Sequence, residues 1–288
     1  MQDIEIIKPG LFTTIQDKGR KGTAYFALPP GGAMDNVALE HANLLVHNAD
    51  DYPAIECTLV PPTLLIHRDT YMSLTGADMH WTIDGVSVDR YTSLYVKKGA
   101  ILAGKPSRDG ARAYIGLGGM MKGKAYYGSQ STYSYAGIGG INGKPFTKGI
   151  FIDLEAKPNS LDIVKISTPQ RYTDIKKITF HKGPEWAYIT QAAKRKITTA
   201  PFKLSSASDR MGARLIDHKI ESLPHEEMKS VPIFPGVIQL PRSGNPLVIL
   251  QDGQTTGGYP RIGIISASEL DKFNQLLPNT FFHLELEQ

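Results

Sequence analysis

Cysteine is almost absent from this chain of 288 residues: Cys57 is the only one, which excludes an internal disulfide and any thiolate metal cluster. It sits in AIECTLV, an apolar run with β-branched members, and reads as a buried structural thiol with no evident group to activate it. Long apolar runs are missing as well. No segment approaches the ~20 residues that a membrane-spanning helix needs, and the N-terminal MQDIEII lacks the basic and apolar regions of a secretory leader, so a cytoplasmic protein is expected. Charge of one sign never accumulates either. The net charge of +4 is scattered, which argues against nucleic acid and acidic membrane surfaces and leaves small polar ligands and protein partners. Several catalytic signatures are also lacking: there is no G-x-S-x-G elbow and no H-E-x-x-H helix among the 8 histidines, so neither a serine nucleophile nor a metal site is expected. PHEEM at 224–228 reads as a solvated acidic turn. Gly118 to Lys124 nearly spells a P-loop, but Ala125 stands where Ser or Thr should hold magnesium, and no helix signal follows. GIGGING at 137–143 misses the dinucleotide fingerprint by one residue. The Met-Lys pairs at 121–122 and 228–229 lack the dedicated hairpin on which biotin is carried, so no biotin is expected on this chain.

What the chain has in quantity is turns, with 28 Gly and 19 Pro, a composition that favours short strands over long helices. The length suits two domains. Strand signals recur at 4–7, 63–67, 71–75, 80–83, 86–88, 94–96 and 111–116. Asp84-Gly85 joins two of them as a type I′ hairpin. Residues 35–48 form the one clear helix signal of the first half, with Asp35 as its cap and Val37, Leu44 and Leu45 as its apolar face. Residues 116–143, rich in Gly and Tyr and without sustained periodicity, read as a long mobile loop. A boundary falls near 168–176, giving domains over 1–168 and 176–288. The second half opens with the strand ITFHKG and the helix-like PEWAYITQAAKRK, continues with strands at 238–241 and 246–251, and ends in a helix from Ser266. A capping box to Glu269 and an apolar face of Leu270, Phe273 and Leu277 mark that helix.

Four polar turns stand out: TTIQDKGR at 13–20, PPGGAMD at 29–35, SSASDRMGARL at 205–215 and QDGQTTGGYP at 251–260. Each sets charged or amide groups beside Gly or Pro, where loops expose them on a rigid frame. The last is the richest. Gln254, Thr255, Thr256 and Tyr259 supply neutral donors and acceptors, and Gly257 and Gly258 permit positive φ and close approach to a ligand, a combination suited to an amide-like substrate. The plainer reading is a Gly-Gly hairpin ahead of a proline.

Taken in order, PGLFTTIQDKGR, PPGGAMD followed by ALEHANLLVHN, LTGAD, GSQST, SDRMGARL and QTTGGYPRIG resemble the carboxyltransferase-type family that includes KipA, the C-subunit of bacterial 5-oxoprolinase and the second subunit of allophanate hydrolase. The resemblance runs along nearly the whole chain. It implies a mainly β protein with a few helices, folded as two linked cyclophilin-like β-barrel domains. At GSQST the family more often shows Arg where this chain has Gln130, which removes a fixed positive charge from that loop.

The resemblance further implies one component of an ATP-dependent enzyme that opens 5-oxoproline to glutamate together with a KipI-like subunit and a third subunit, ATP being held by or with a partner. Phosphorylation of the lactam oxygen would break amide resonance and create a leaving group. The catalytic candidates are Asp35, Arg210 and Asp252: Arg210 and the amides near Gly257 and Gly258 to hold charge on oxygen, Asp35 or Asp252 to orient water or accept a proton. Met34 joins Gln254, Thr255, Thr256, Gly257, Gly258 and Tyr259 as a substrate-binding candidate. Each catalytic candidate also has a structural reading: Arg210 pairing with an acid, Asp35 capping its helix, Asp252 shaping a turn. Two other functions stay open, carboxyl transfer from carboxybiotin to urea or a related amide, and non-catalytic binding of a KipI-like kinase inhibitor through the 116–143 loop.

Overall fold

A computed structural model describes residues 2–155, 162–167, 171–221 and 228–287. Residues 224–227 of PHEEM and 168–170 of the expected boundary lie outside the described residues. The chain divides into two compact units: residues 1–21 with 31–171, and residues 22–30 with 172–288. The described residues are mainly β, with three α-helices.

In the first unit, five strands pair in the order Phe12–Gln16, Ala54–Thr58, Asp109–Leu117, Thr70–Asp78 and Ser93–Val96. Six others pair in the order Phe151–Ile152, Ile4–Lys8, Thr63–Ile66, Ile101–Ala103, Thr82–Ile83 and Val86–Ser87. Ile4, Ile6, Leu64 and Ile66 of one sheet and Ile15, Ile55, Cys57 and Ile115 of the other share a single buried core. Side chains alternate along a strand. Thr14, Glu56, Tyr114 and Thr75, aligned across the five-stranded sheet, therefore face away from that core. Burial also pushes the Cys57 thiol well above its ordinary pKa, so this cysteine is part of the packing.

The helix Asn36–Leu45 covers the polar row, and here the expectation needs correcting. Of the anticipated apolar face only Leu45 is buried; Val37 and Leu44 are 49% and 54% exposed. The helix instead lays Ala38, Leu39 and Ala42 on the sheet. Small residues bring its backbone close enough for the Thr75 and Ser73 hydroxyls to donate to the Ala38 and Ala42 carbonyls at 2.6 Å each. The Asp84-Gly85 hairpin forms as read, with φ of 50° and 80° at the two turn residues. Residues 116–143, read as one long mobile loop, include the end of the strand Asp109–Leu117 and the strand Met120–Met121, and are anchored in part while 122–125 and 134–137 are exposed. Ser129, Ser131 and Thr132 are buried, the Thr132 amide donates to the Ile15 carbonyl at 2.9 Å and the Gly140 amide to the Gln130 carbonyl at 2.6 Å.

The second unit closes seven strands into a barrel in the order Lys177–Lys182, Arg261–Ile264, Val237–Gln239, Leu247–Ile249, Gly212–Ile216, Pro201–Leu204 and Phe281–Leu286. The last strand runs parallel to the first and completes the ring. Among the described residues, the closed hydrogen-bonded ring is the one in the second unit. PEWAYITQAAKRK divides into a short 3₁₀ turn, Trp186–Tyr188, and a helix, Gln191–Thr199, whose cap Thr190 accepts from the Ala193 amide at 3.0 Å. The expected capping box on the helix Ala267–Asn274 does not form: Ser266 makes no side-chain cap bond. Glu269 accepts from the Thr179 amide at 3.0 Å instead, tying the helix to the first barrel strand. Leu277 lies past the helix end and is half-buried, while Leu270 and Phe273 are buried as expected.

Candidate functional site

Three of the quoted motifs meet inside the first unit, PPGGAMD through its residues 31–35. The buried carboxylate of Asp17 accepts from the Ser129 and Ser131 hydroxyls, from the Gln130 amide at 2.6 Å and from the Gly19 amide at 2.8 Å. GSQST is thereby fastened to the end of TTIQDKGR. The Arg20 guanidinium is buried beside them and donates to the Ser131 carbonyl. PPGGAMD follows on, and three of its consecutive amides are fixed. Ala33 N–H donates to the Asp17 carbonyl at 2.8 Å, Met34 N–H to Glu56 Oε2 at 2.8 Å and Asp35 N–H to Tyr114 Oη at 2.8 Å. The Tyr114 hydroxyl in turn donates to Glu56 Oε2 at 2.7 Å. Burial, then the charges of Glu56 and Asp35, hold the Tyr114 phenol well above its ordinary pKa, so it stays protonated. Asp35 Oδ1 accepts from the Ala38 amide at 2.9 Å, which is the cap read from the sequence.

The other two polar turns meet inside the second unit. Arg210 forks onto Asp252, Nε to Oδ2 at 2.8 Å and Nη2 to Oδ1 at 3.0 Å, with both side chains about 95% buried. Asp252 N–H donates back to the Arg210 carbonyl at 2.9 Å. Of the alternatives open for Arg210, ion pairing is thus observed, and its partner is the other catalytic candidate of this unit. A second fork holds the far end of the loop, where Arg261 Nε and Nη2 meet Glu185 at 2.9 and 2.8 Å. The Arg261 side chain holds the Glu185 carboxyl below its ordinary value, and Glu185 raises Arg261 in return.

Between the two forks runs QTTGGYP. Thr256–Gly257 pairs with Val231–Pro232 as a short ribbon, so the Gly-Gly hairpin of the plainer reading is not what forms. Neither Gly257 nor Gly258 takes a positive φ, which corrects the expectation for both. At Gly257 the requirement is space: a Cβ there would stand 2.6 Å from Gln239 Nε2. Gln239 lies buried beneath the ribbon and donates to the Tyr259 carbonyl at 3.3 Å. Gln254, Thr256 and Gly258 are exposed, Tyr259 is 44% exposed, and Thr255 is buried with its carbonyl accepting from the Ile233 amide at 2.9 Å. The outer edge of the loop is neutral and able to hydrogen-bond, while the charges of Arg210 and Asp252 compensate each other beneath it.

Met34 and Asp35 thus lie in the first unit and Arg210, Asp252 and residues 254–259 in the second. Sequence reasoning passed over Glu56, Tyr114, Glu185 and Gln239. Glu56 alone left a signal, as an acid inside the apolar run AIECTLV. The Gly118 to Lys124 run is followed by no helix among the described residues up to 155, so it lacks the N-terminal amides of a phosphate cradle.

The sequence profile of the carboxyltransferase domain, subdomains A and B, matches residues 26–286. The chain is 33% identical over 289 residues to the 5-oxoprolinase C-subunit of Escherichia coli, covering 99% of this chain and 92% of that protein. It is 29% identical over 299 residues to urea amidolyase of Saccharomyces cerevisiae, covering 96% of this chain and 16% of that protein. Among solved structures, the K. lactis urea amidolyase superposes with a TM-score of 0.88 at 26% identity, over 99% of this chain and 19% of that one. The chain therefore spans under a fifth of the urea amidolyases that it matches. By the profile that covers most of its length and by a relative alike from end to end, this chain belongs to the family of the carboxyltransferase domain with subdomains A and B.

Proposed function

We propose that this chain is the C-subunit of an ATP-dependent 5-oxoprolinase, acting with a KipI-like subunit and a third subunit in the cytoplasm to open the lactam of 5-oxoproline to L-glutamate. The observation that carries the reading is the likeness to the 5-oxoprolinase C-subunit, which extends over 92% of that relative. The neutral edge of QTTGGYP supports it. A lactam offers one N–H and one carbonyl, and Gln254, Thr256 and Tyr259 supply the complementary acceptors and donors without a charged competitor. Locked on each other, Arg210 and Asp252 serve best as the anchor of this loop; within the first unit, Asp35 is read as the group that orients water or accepts a proton. ATP, when bound, would supply activation of the lactam oxygen. That no helix follows Gly118 to Lys124 among the described residues up to 155 supports a nucleotide held by or with a partner subunit.

The likeness to urea amidolyases favours a second reading, carboxyl transfer to urea from a biotin carried on another chain. One assay separates the two. The chain is co-expressed with its companion subunits, and ATP turnover is measured with 5-oxoproline and with urea. Turnover with 5-oxoproline is expected; turnover with urea alone favours the second reading, and background with both defeats the pair.

A further inference from the structure

We propose that Glu56 and Tyr114 are positioning residues that hold Met34 and Asp35 in the orientation turnover requires, an inference that rests on the reading of Asp35 as a reacting group. The two are cross-strand partners on the central strands of the five-stranded sheet. They face away from the core that the two sheets share, and the Tyr114 ring belongs to the smaller apolar cluster of Ala33, Ala38, Leu39 and Ala42. Packing alone does not call for them, because leucine and phenylalanine would fill the same space without the desolvation cost of a buried carboxylate. What they supply is direction. A phenol has a single proton; Tyr114 gives it to Glu56 Oε2 at 2.7 Å, which turns a lone pair toward the Asp35 amide at 2.8 Å. The same Glu56 oxygen accepts the Met34 amide at 2.8 Å. One carboxylate oxygen therefore fixes two successive peptide planes and the residue that caps the helix, whose carboxylate is already bound to the Ala38 amide. Both partners are buried, so water cannot replace either bond.

Tyr114→Phe in the assembled complex removes the relay and keeps the ring. Tyr91→Phe is the matched control, since its buried hydroxyl also accepts a backbone amide, that of Gly76 at 2.9 Å, whereas the Met34 and Asp35 amides bond to Glu56 and Tyr114. Tyr114→Phe is expected to lower kcat about 10–100-fold with KM changed less than about twofold, as small misplacement of a reacting group does. Tyr91→Phe should lower the melting temperature comparably and leave kcat intact. Glu56→Gln, which keeps an acceptor for both donors, should retain more turnover than Glu56→Leu. Equal kcat losses in the two tyrosine variants would reduce the pair to scaffolding. Amide hydrogen exchange gives a readout free of activity: exchange at Met34 and Asp35 should quicken about tenfold in Tyr114→Phe and not in Tyr91→Phe. Unchanged exchange overturns the proposal whatever the reaction. Background turnover in the wild-type complex overturns the functional reading, and exchange then decides the positioning claim by itself.

Discussion

Asp35 combines two roles that one substitution separates. Asparagine caps a helix as well as aspartate does, so Asp35→Asn keeps the bond to the Ala38 amide and removes the basic oxygen. The expected outcome is an unchanged melting temperature with turnover of the complex reduced about 100-fold or more, in line with loss of a general base. Equal turnover would leave Asp35 as a cap only. Gly257 and Gly85 make a second comparison. Alanine at Gly257 meets Gln239 Nε2 at 2.6 Å, whereas Gly85 has open space around it and a φ of +80°. Gly257→Ala should cost about 1–3 kcal/mol through overpacking, and Gln239→Ala in the same chain should recover most of it. Gly85→Ala should cost about 1–2 kcal/mol through its backbone, with no second-site rescue of this kind. Urea unfolding of the single and double variants measures both.

Two barrel-borne forks fix the ends of one loop, and elements are the scale at which they act. The Arg210–Asp252 pair is nearly wholly buried, so Arg210→Met strands a carboxylate and should cost about 3–5 kcal/mol, whereas Arg210→Met with Asp252→Leu should cost much less. The Glu185–Arg261 pair carries a pH signature. Because Arg261 lowers the folded-state pKa of Glu185 from its ordinary 4.5, the pair contributes fully above that value and its contribution fades as pH falls through the lowered one. Wild type should exceed Glu185→Gln by about 1.5–3 kcal/mol at neutral pH, and urea melts taken at decreasing pH should show the gap closing below pH 4.5. A gap that widens in acid contradicts the assignment.

For the molecule as a whole, Cys57 serves as a reporter built into the core of the first unit. It is fully buried, and burial pushes its thiol up, so the native protein should give no reaction with a thiol reagent at neutral pH and one equivalent after denaturation. Labelling rates measured across denaturant concentrations should follow the opening of that unit. Fast labelling of the native state would place Cys57 outside the packed core. Among the described residues, the second unit's strands close into a hydrogen-bonded ring through the parallel pairing of Lys177–Lys182 with Phe281–Leu286.

Local rules made part of this legible in advance. Turn chemistry gave the Asp84-Gly85 hairpin because positive φ at both positions is a property of that dipeptide, and capping chemistry gave Asp35 because its acceptor lies three residues away from the amide it binds. The order of polar motifs carried the family. Tertiary contacts decided the rest. Periodicity placed Val37 and Leu44 inward, yet the helix turned its alanines to the sheet, because close backbone approach let Ser73 and Thr75 bond its carbonyls. Glu269 left its expected capping box for the Thr179 amide, a partner 90 residues away that no local pattern could reveal. Glu56 and Tyr114 stayed hidden as site residues for the same physical reason: their bonds to Met34 and Asp35 exist only once distant strands align and exclude water, and nothing in a neighbouring residue encodes that alignment.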